Sequence, residues 1–176
     1  MCNCRKPLKS GAVTILTELR VEQWGPLLWK FLHITAERIG CSSNPILEAD
    51  SANSIQLLIS ALPDIIPCPE CQAHARTYLF ENKFITKDLK GCELQTYVRN
   101  YLFAFHTAVR TRKGQPVILS TPDECSALYS TALITNEDDK NMADYFRYAL
   151  LYRIVNSTKY MRWWDIFRRL RLSLGY

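Results

Sequence analysis

The sequence predicts an all-α protein. Apolar residues recur at the i, i+3, i+4 spacing of buried helix faces over several stretches. Glycine, proline and capping residues punctuate those stretches, and no period-two run suggests a strand of any length. A chain of 176 residues can form one domain with an appendage and bury a core without disulfide staples.

Residues 1–20 carry Cys2 and Cys4 ahead of a basic patch and are expected to be a mobile tail. The first helix is predicted over 21–40, with Gly25, Trp29, His33 and Glu37 four apart on one stripe and Gly40 ending it. A Trp/His pair at that spacing is, taken alone, ordinary core packing. A polar loop precedes a second helix that carries Ile55, Leu58, Ile59 and Leu62 on one face and stops at Pro63. The third begins at Pro67-Cys68-Pro69-Glu70-Cys71 and continues through His74, Ala75, Tyr78 and Leu79. The fourth starts near Leu89 or Leu94 and ends at Arg112, its buried face including Leu94, Val98, Leu102, Phe105 and Val109, with Gly114 and Pro116 closing it. Thr121-Pro122-Asp123-Glu124 is a capping box that starts a short fifth helix through Tyr129.

A break is predicted at Asn136-Glu137-Asp138-Asp139, followed by a helical extension from 142 to about 174. Trp163, Phe167, Leu170 and Leu174 line one of its faces, and Lys159, Arg162, Arg168, Arg169 and Arg171 form a basic flank. Docking on the domain or on a second copy is favoured over membrane contact, because no lipid-specific signal accompanies the basic flank. The expected organisation is a tail at 1–20, a domain at 21–135 and the extension at 136–176.

The net charge of +5 is modest and spread, so it permits an acidic partner without demanding nucleic acid. No apolar run approaches the roughly twenty residues of a membrane span, and the first six residues lack the apolar core of a secretory signal. Synthesis and retention in the cytosol are therefore expected. In a reducing compartment seven cysteines do not build a framework of structural disulfides, so a close pair reads as catalytic or metal-binding.

Cys68 and Cys71 are that pair. Two cysteines separated by two residues at a helix start can cycle between dithiol and disulfide. Pro69 suits a first helical position and leaves Cys68 at the N-terminus, where the helix dipole favours thiolate. The alternative is a zinc-stabilised helical binding module using Cys68, Cys71 and His74. Cys41, Cys92 and Cys125 stand singly, which weakens that alternative. A thioredoxin-like exchanger would place the motif after a strand, and a dinucleotide held by a Rossmann turn would need Gly-x-Gly; neither pattern is present.

Taken in order, Trp24-Gly25-Pro26-x-x-Trp29-x-x-x-His33, Cys68-x-x-Cys71, Phe105-His106-x-x-Val109 and Gly114-x-Pro116 resemble the Erv/ALR family of FAD-dependent sulfhydryl oxidases, especially the compact forms encoded by large DNA viruses. The resemblance covers residues 22–130. It implies a four-helix bundle with a short fifth helix that holds FAD beside the cysteine pair. A substrate dithiol would attack Cys68, Cys71 would pass the electrons to the flavin, and oxygen would take them to give hydrogen peroxide. Thiol-bearing protein substrates, molecular oxygen and a homodimer are the implied partners.

Carried over position by position, Trp29 and His33 would contact the flavin, His106 and Val109 the adenine side, and Lys113 the phosphate. Tyr129 would replace a tryptophan common in the fifth helix, and Trp24, Gly25 and Arg110 complete the cofactor-binding set. Thr107 and Arg110 stand where most members have two asparagines, Pro26 where cellular members have arginine, and Arg38 where an aromatic is common. Phe80 and Phe103 occupy the positions of a structural disulfide found in cellular members. Family members commonly carry a second dithiol on a tail, for which Cys2 and Cys4 are the candidate shuttle.

Overall fold

The computed structural model describes residues 20–176, so Cys2 and Cys4 lie outside the described residues. Every regular element among the described residues is helical: α1 (Val21–Arg38), α2 (Pro45–Ala61) with a 3-10 turn (Leu62–Asp64), α3 (Pro69–Glu81), α4 (Gly91–Arg112), α5 (Pro122–Tyr129), α6 (Asn136–Leu151) and α7 (Ser157–Ser173). None of these helices is long and apolar enough to cross a membrane.

The starts follow from local chemistry. Asn44 caps α2 by accepting from the Ile46 and Leu47 N–H groups, and Thr121 caps α5 by accepting from the Glu124 N–H. Pro45, Pro69 and Pro122 each occupy the first turn, where their missing N–H costs nothing. Gly40 adopts φ +76° after α1, and a Cβ there would collide with the Gly91 carbonyl at the start of α4.

Two sequence expectations need correction. Residues 136–139 are not a break; they form the first turn of α6. Thr135 Oγ1 accepts the Asp138 N–H at 3.1 Å and the Asp138 carboxylate accepts the Thr135 N–H at 2.8 Å, a reciprocal capping box. Glu137, Asp138 and Asp139 lie at the positive end of the helix dipole, so the acidic cluster starts the helix. The C-terminal region is also two helices rather than one. The chain turns after α6, Arg153 takes a left-handed φ of 55°, and Asn156 caps α7 by accepting the Lys159 N–H at 3.1 Å.

Helix α1 is shared by both halves of the bundle. It packs on α4 and α5 along one side and on α6 along another, while α7 lies against α2. The extension belongs to the same core: Trp163 and Phe167 are almost fully buried, Phe167 stacks on Phe31 at 5.5 Å, and Trp163 Nε1 donates to the Leu58 carbonyl at 3.0 Å. Lys30 with Asp138 and Arg171 with Asp139, each at 2.7 Å, hold the start of α6 to α1 and α7.

Candidate functional site

Cys68 is the N-cap of α3. Its backbone is extended, φ −154° and ψ 110°, and its Sγ accepts the Cys71 N–H at 3.2 Å. Cys68 and Cys71 are joined as a disulfide across a Cα separation of 5.2 Å. Negative charge released on Cys68 would meet that N–H and the positive end of the helix. One turn along, Gln72 N–H donates to the Cys68 carbonyl, so α3 carries two stripes: Cys68, Gln72 and Arg76 on one, Cys71, His74, Ala75 and Tyr78 on the other.

The second stripe faces a cavity of about 520 Å³ between α1, α3, α4 and α5. Cys71 lines it and Cys68 does not. Trp24, Gly25 and Trp29 of α1, His106, Val109 and Arg110 of α4, Lys113 just beyond α4, and Tyr129 of α5 all line the same cavity. The cofactor candidates taken from the sequence therefore converge, with one exception. His33 is 3 % exposed and lies behind the wall, stacked on Tyr129 at 4.9 Å.

The wall between α1 and α4 is aromatic. Trp29 and His106 stack at 4.2 Å with planes 8° apart, and Tyr78 stacks on Phe105 at 4.3 Å. His33 Nε2 lies 3.1 Å from His106 Nδ1, and His33 Nδ1 lies 3.5 Å from Cys125 Sγ. Burial, then the neighbouring His106, lowers the His33 pKa to about 3; burial, then Arg110, lowers that of His106 to about 4. Burial, then Glu37, pushes the Cys125 thiol up to about 11. All three groups are neutral at physiological pH. One shared proton then stands between each pair, so the tautomers of the two histidines are set together.

At the rim the charge is positive. Arg110 donates to the Pro116 carbonyl through Nε at 2.9 Å and Nη2 at 2.6 Å, folding the segment after α4 back over the cavity. Arg112 Nη1 lies 3.3 Å from Glu70, and Lys113 has no ion pair among the described residues. Among the described residues two buried polar atoms on the lining lack a hydrogen-bond partner: Trp24 Nε1, and His74 Nδ1, which lies 3.9 Å from Glu70 Oε1.

Sequence reasoning missed Arg112, Gln115 and Pro116 as lining residues and placed His74 only as a zinc ligand. The α3 face already carried a signal for His74, which follows Cys71 by three residues. His74 Nε2 is 3.5 Å from Arg112 Nη1, and no group of three or more potential ligands is placed to hold a metal ion among the described residues.

The chain is similar to FAD-linked sulfhydryl oxidases of African swine fever virus, represented by the Warthog/Namibia and Tick/Malawi isolates. Identity is 30% over 95 residues in each case, covering 54% of this chain and 71% of the relative. It is also 26% identical over 104 residues to a protein of Invertebrate iridescent virus 6 whose name assigns it as an FAD-linked sulfhydryl oxidase, covering 58% of this chain and 90% of that one. No protein-family model and no solved structure matches the chain.

Proposed function

This chain belongs to the FAD-linked sulfhydryl oxidases, and we propose that substrate electrons enter its redox pair at Cys68 and leave it at Cys71. One observation carries this assignment: Cys71 lines the aromatic cavity while Cys68 sits on the other stripe of α3.

The cavity suits the cofactor. An unpaired buried donor costs about 1–3 kcal/mol, so Trp24 Nε1 fits a site whose ligand supplies the missing partner. The flat Trp29 and His106 faces suit a fused ring system, and Arg112 and Lys113 suit a diphosphate. When bound, FAD supplies the two-electron acceptor and the oxygen chemistry that thiols lack, with hydrogen peroxide as the expected product.

The residues of this chain do the exchange. A substrate thiolate attacks Cys68 Sγ, the S–S bond breaks, and Cys71 leaves as a thiolate at the cavity wall. The second substrate thiolate attacks the substrate sulfur of the mixed disulfide and releases Cys68, whose charge is held by the Cys71 N–H and the α3 N-terminus. The substrate loses two electrons and two protons, and the pair gains them as a dithiol.

The purified protein should be yellow and hold about one FAD per chain. Cys68→Ser and Cys71→Ser should each retain the flavin and lose dithiol-dependent oxygen consumption by at least about 10³-fold. Trapping distinguishes their roles: Cys71→Ser should accumulate a mixed disulfide with substrate at Cys68, whereas Cys68→Ser should capture none. Near-normal dithiol oxidation by Cys68→Ser would overturn the assignment.

A further inference from the structure

Helix α3 separates two clefts. Gln72 and Arg76, one and two turns beyond Cys68 on its stripe, line a second, polar groove of about 690 Å³. Arg153 of the segment joining α6 to α7, Lys159 in the first turn of α7 and Asp64 of the 3-10 turn line the groove too, and Cys68 is not itself in its lining. This lining is tied to the backbone beside the redox sulfur. Gln72 Nε2 donates to the Ile66 carbonyl at 2.8 Å and to the Ile154 carbonyl at 3.3 Å, while the Cys68 N–H donates to the same Ile66 carbonyl at 2.9 Å. The turn itself is fixed, because Ile154 N–H donates to the Ala149 carbonyl at 2.9 Å and Arg153 is held in the left-handed region.

Its charge is unbalanced. Asp64 accepts from Arg76 at 3.3 Å and from Lys159 at 3.0 Å, so two cations share one carboxylate. Arg153, exposed in the same groove, has no ion pair among the described residues. A small dithiol reaching Cys68 requires none of these groups, but a polypeptide passing along the groove would lie against all of them.

We propose that this groove seats the protein substrate and selects a segment with Asp or Glu beside its reacting cysteine. The acidic side chains meet Arg153 and Lys159 while the substrate thiolate reaches Cys68, so the proposal rests on Cys68 being the attacked sulfur. The chain's own tail is a poorer occupant, because Arg5, Lys6 and Lys9 outnumber Glu18 there.

The test uses the full-length, FAD-loaded protein with two dithiol peptides of identical cysteine spacing, one flanked by Asp and one by Lys, beside dithiothreitol. The wild type should show a KM for the Asp peptide about three- to tenfold below that for the Lys peptide, as a pair of exposed charge contacts allows. The difference should shrink as salt approaches about 1 M, where the screening length falls to about 3 Å. Arg153→Glu combined with Lys159→Glu should reverse the preference and leave dithiothreitol oxidation unchanged. Should that double variant lose its flavin or fold, Arg153→Gln should still cut the preference at least in half. Equal KM values in the wild type, or an unaltered preference in the variants, would overturn the groove. The preference should also survive replacement of Cys2 and Cys4 by Ser; its loss would make the tail the occupant and overturn a direct substrate site. Failure of the underlying assignment shows separately, as dithiothreitol oxidation that survives Cys68→Ser.

Discussion

Two buried tryptophans show how differently the two sides of the bundle are filled. Trp163, under α7, donates its indole N–H to the Leu58 carbonyl and lies against Phe167 with no polar atom left over. Trp24, on α1 beside the cavity, is also buried, yet its indole N–H has no partner among the described residues. The Trp163 donor is satisfied within a closed core and the Trp24 donor is left open beside a space shaped for a ligand, although Arg38 Nε and Arg99 Nε, away from the cavity, also lack partners among the described residues. The same contrast holds for charge. The α6–α7 side is tied down by Lys30–Asp138 and Arg171–Asp139, whereas beside the cavity burial keeps His33 and His106 neutral and the cations stand at the rim.

The sharpest way to break this contrast is to remove the closed side. Deleting residues 136–176 uncovers Ile55, Leu58 and Ile59 of α2 and Phe31 of α1, all almost fully buried in the intact chain. The expected outcome is a truncated chain that neither holds flavin nor unfolds cooperatively, read by absorbance and by urea titration. A truncated chain with normal flavin content would mean that α6 and α7 are a dispensable cover.

Next come the two tryptophans themselves. Trp163→Ala should cost about 3–5 kcal/mol of unfolding free energy, since it leaves a large cavity and an unpaired Leu58 carbonyl. Trp24→Phe removes a donor that nothing among the described residues accepts. Cofactor-free protein should therefore be as stable as wild type or more so, while the flavin dissociates more readily. Equal losses of stability from the two substitutions would erase the distinction between the sides.

Much of this was legible in the sequence, and the limits have physical causes. Pro69 after Cys68 announces a helix start with a sulfur at its N-cap, and Trp24, Trp29, His106 and Val109, which the family resemblance gives to the cofactor, line one cavity. The family resemblance gives His33 to the flavin, but a helical stripe does not fix depth: His33 is 3 % exposed and does not line the cavity, its ring packed near those of Trp29 and His106. Residues 136–139 read as a linker because four polar residues in a row carry no apolar period, although Thr135, three residues ahead of Asp138, is the capping signal. The turn between α6 and α7 contains neither glycine nor proline, so nothing local marks it. Gln72 and Ile154 are 82 residues apart, and only the folded chain brings them together.

Acid should distinguish the sides further. His33 and His106 have folded-state pKa values of about 3 and 4, below the ordinary 6.5, so each takes up a proton more readily in the unfolded chain. Their contribution to stability is complete above about pH 6.5 and is lost as pH falls through 4 and then 3, at up to about 1.4 kcal/mol per pH unit for each histidine. Urea titrations from pH 7 to pH 4 should show His106→Gln with a shallower acid limb than wild type. Parallel limbs would mean that carboxylates, not this pair, set the acid sensitivity.

The smallest effect is expected at Cys125, which does not line the cavity and reaches its wall through His33. Its protonated thiol lies 3.5 Å from His33 Nδ1, and His33 Nε2 in turn lies 3.1 Å from His106 Nδ1, so removing the sulfur frees the tautomer of the ring that stacks on Trp29. Cys125→Ala should cost about 1 kcal/mol and loosen the His106 orientation, visible as a shift in the flavin absorbance band and in the pH profile of turnover. Cys125→Ser restores a hydroxyl able to pair with His33 and should return both signatures toward wild type. If Ala and Ser behave alike, the cysteine is packing only, and the histidine pair is oriented by its ring contacts with Trp29 and Tyr129.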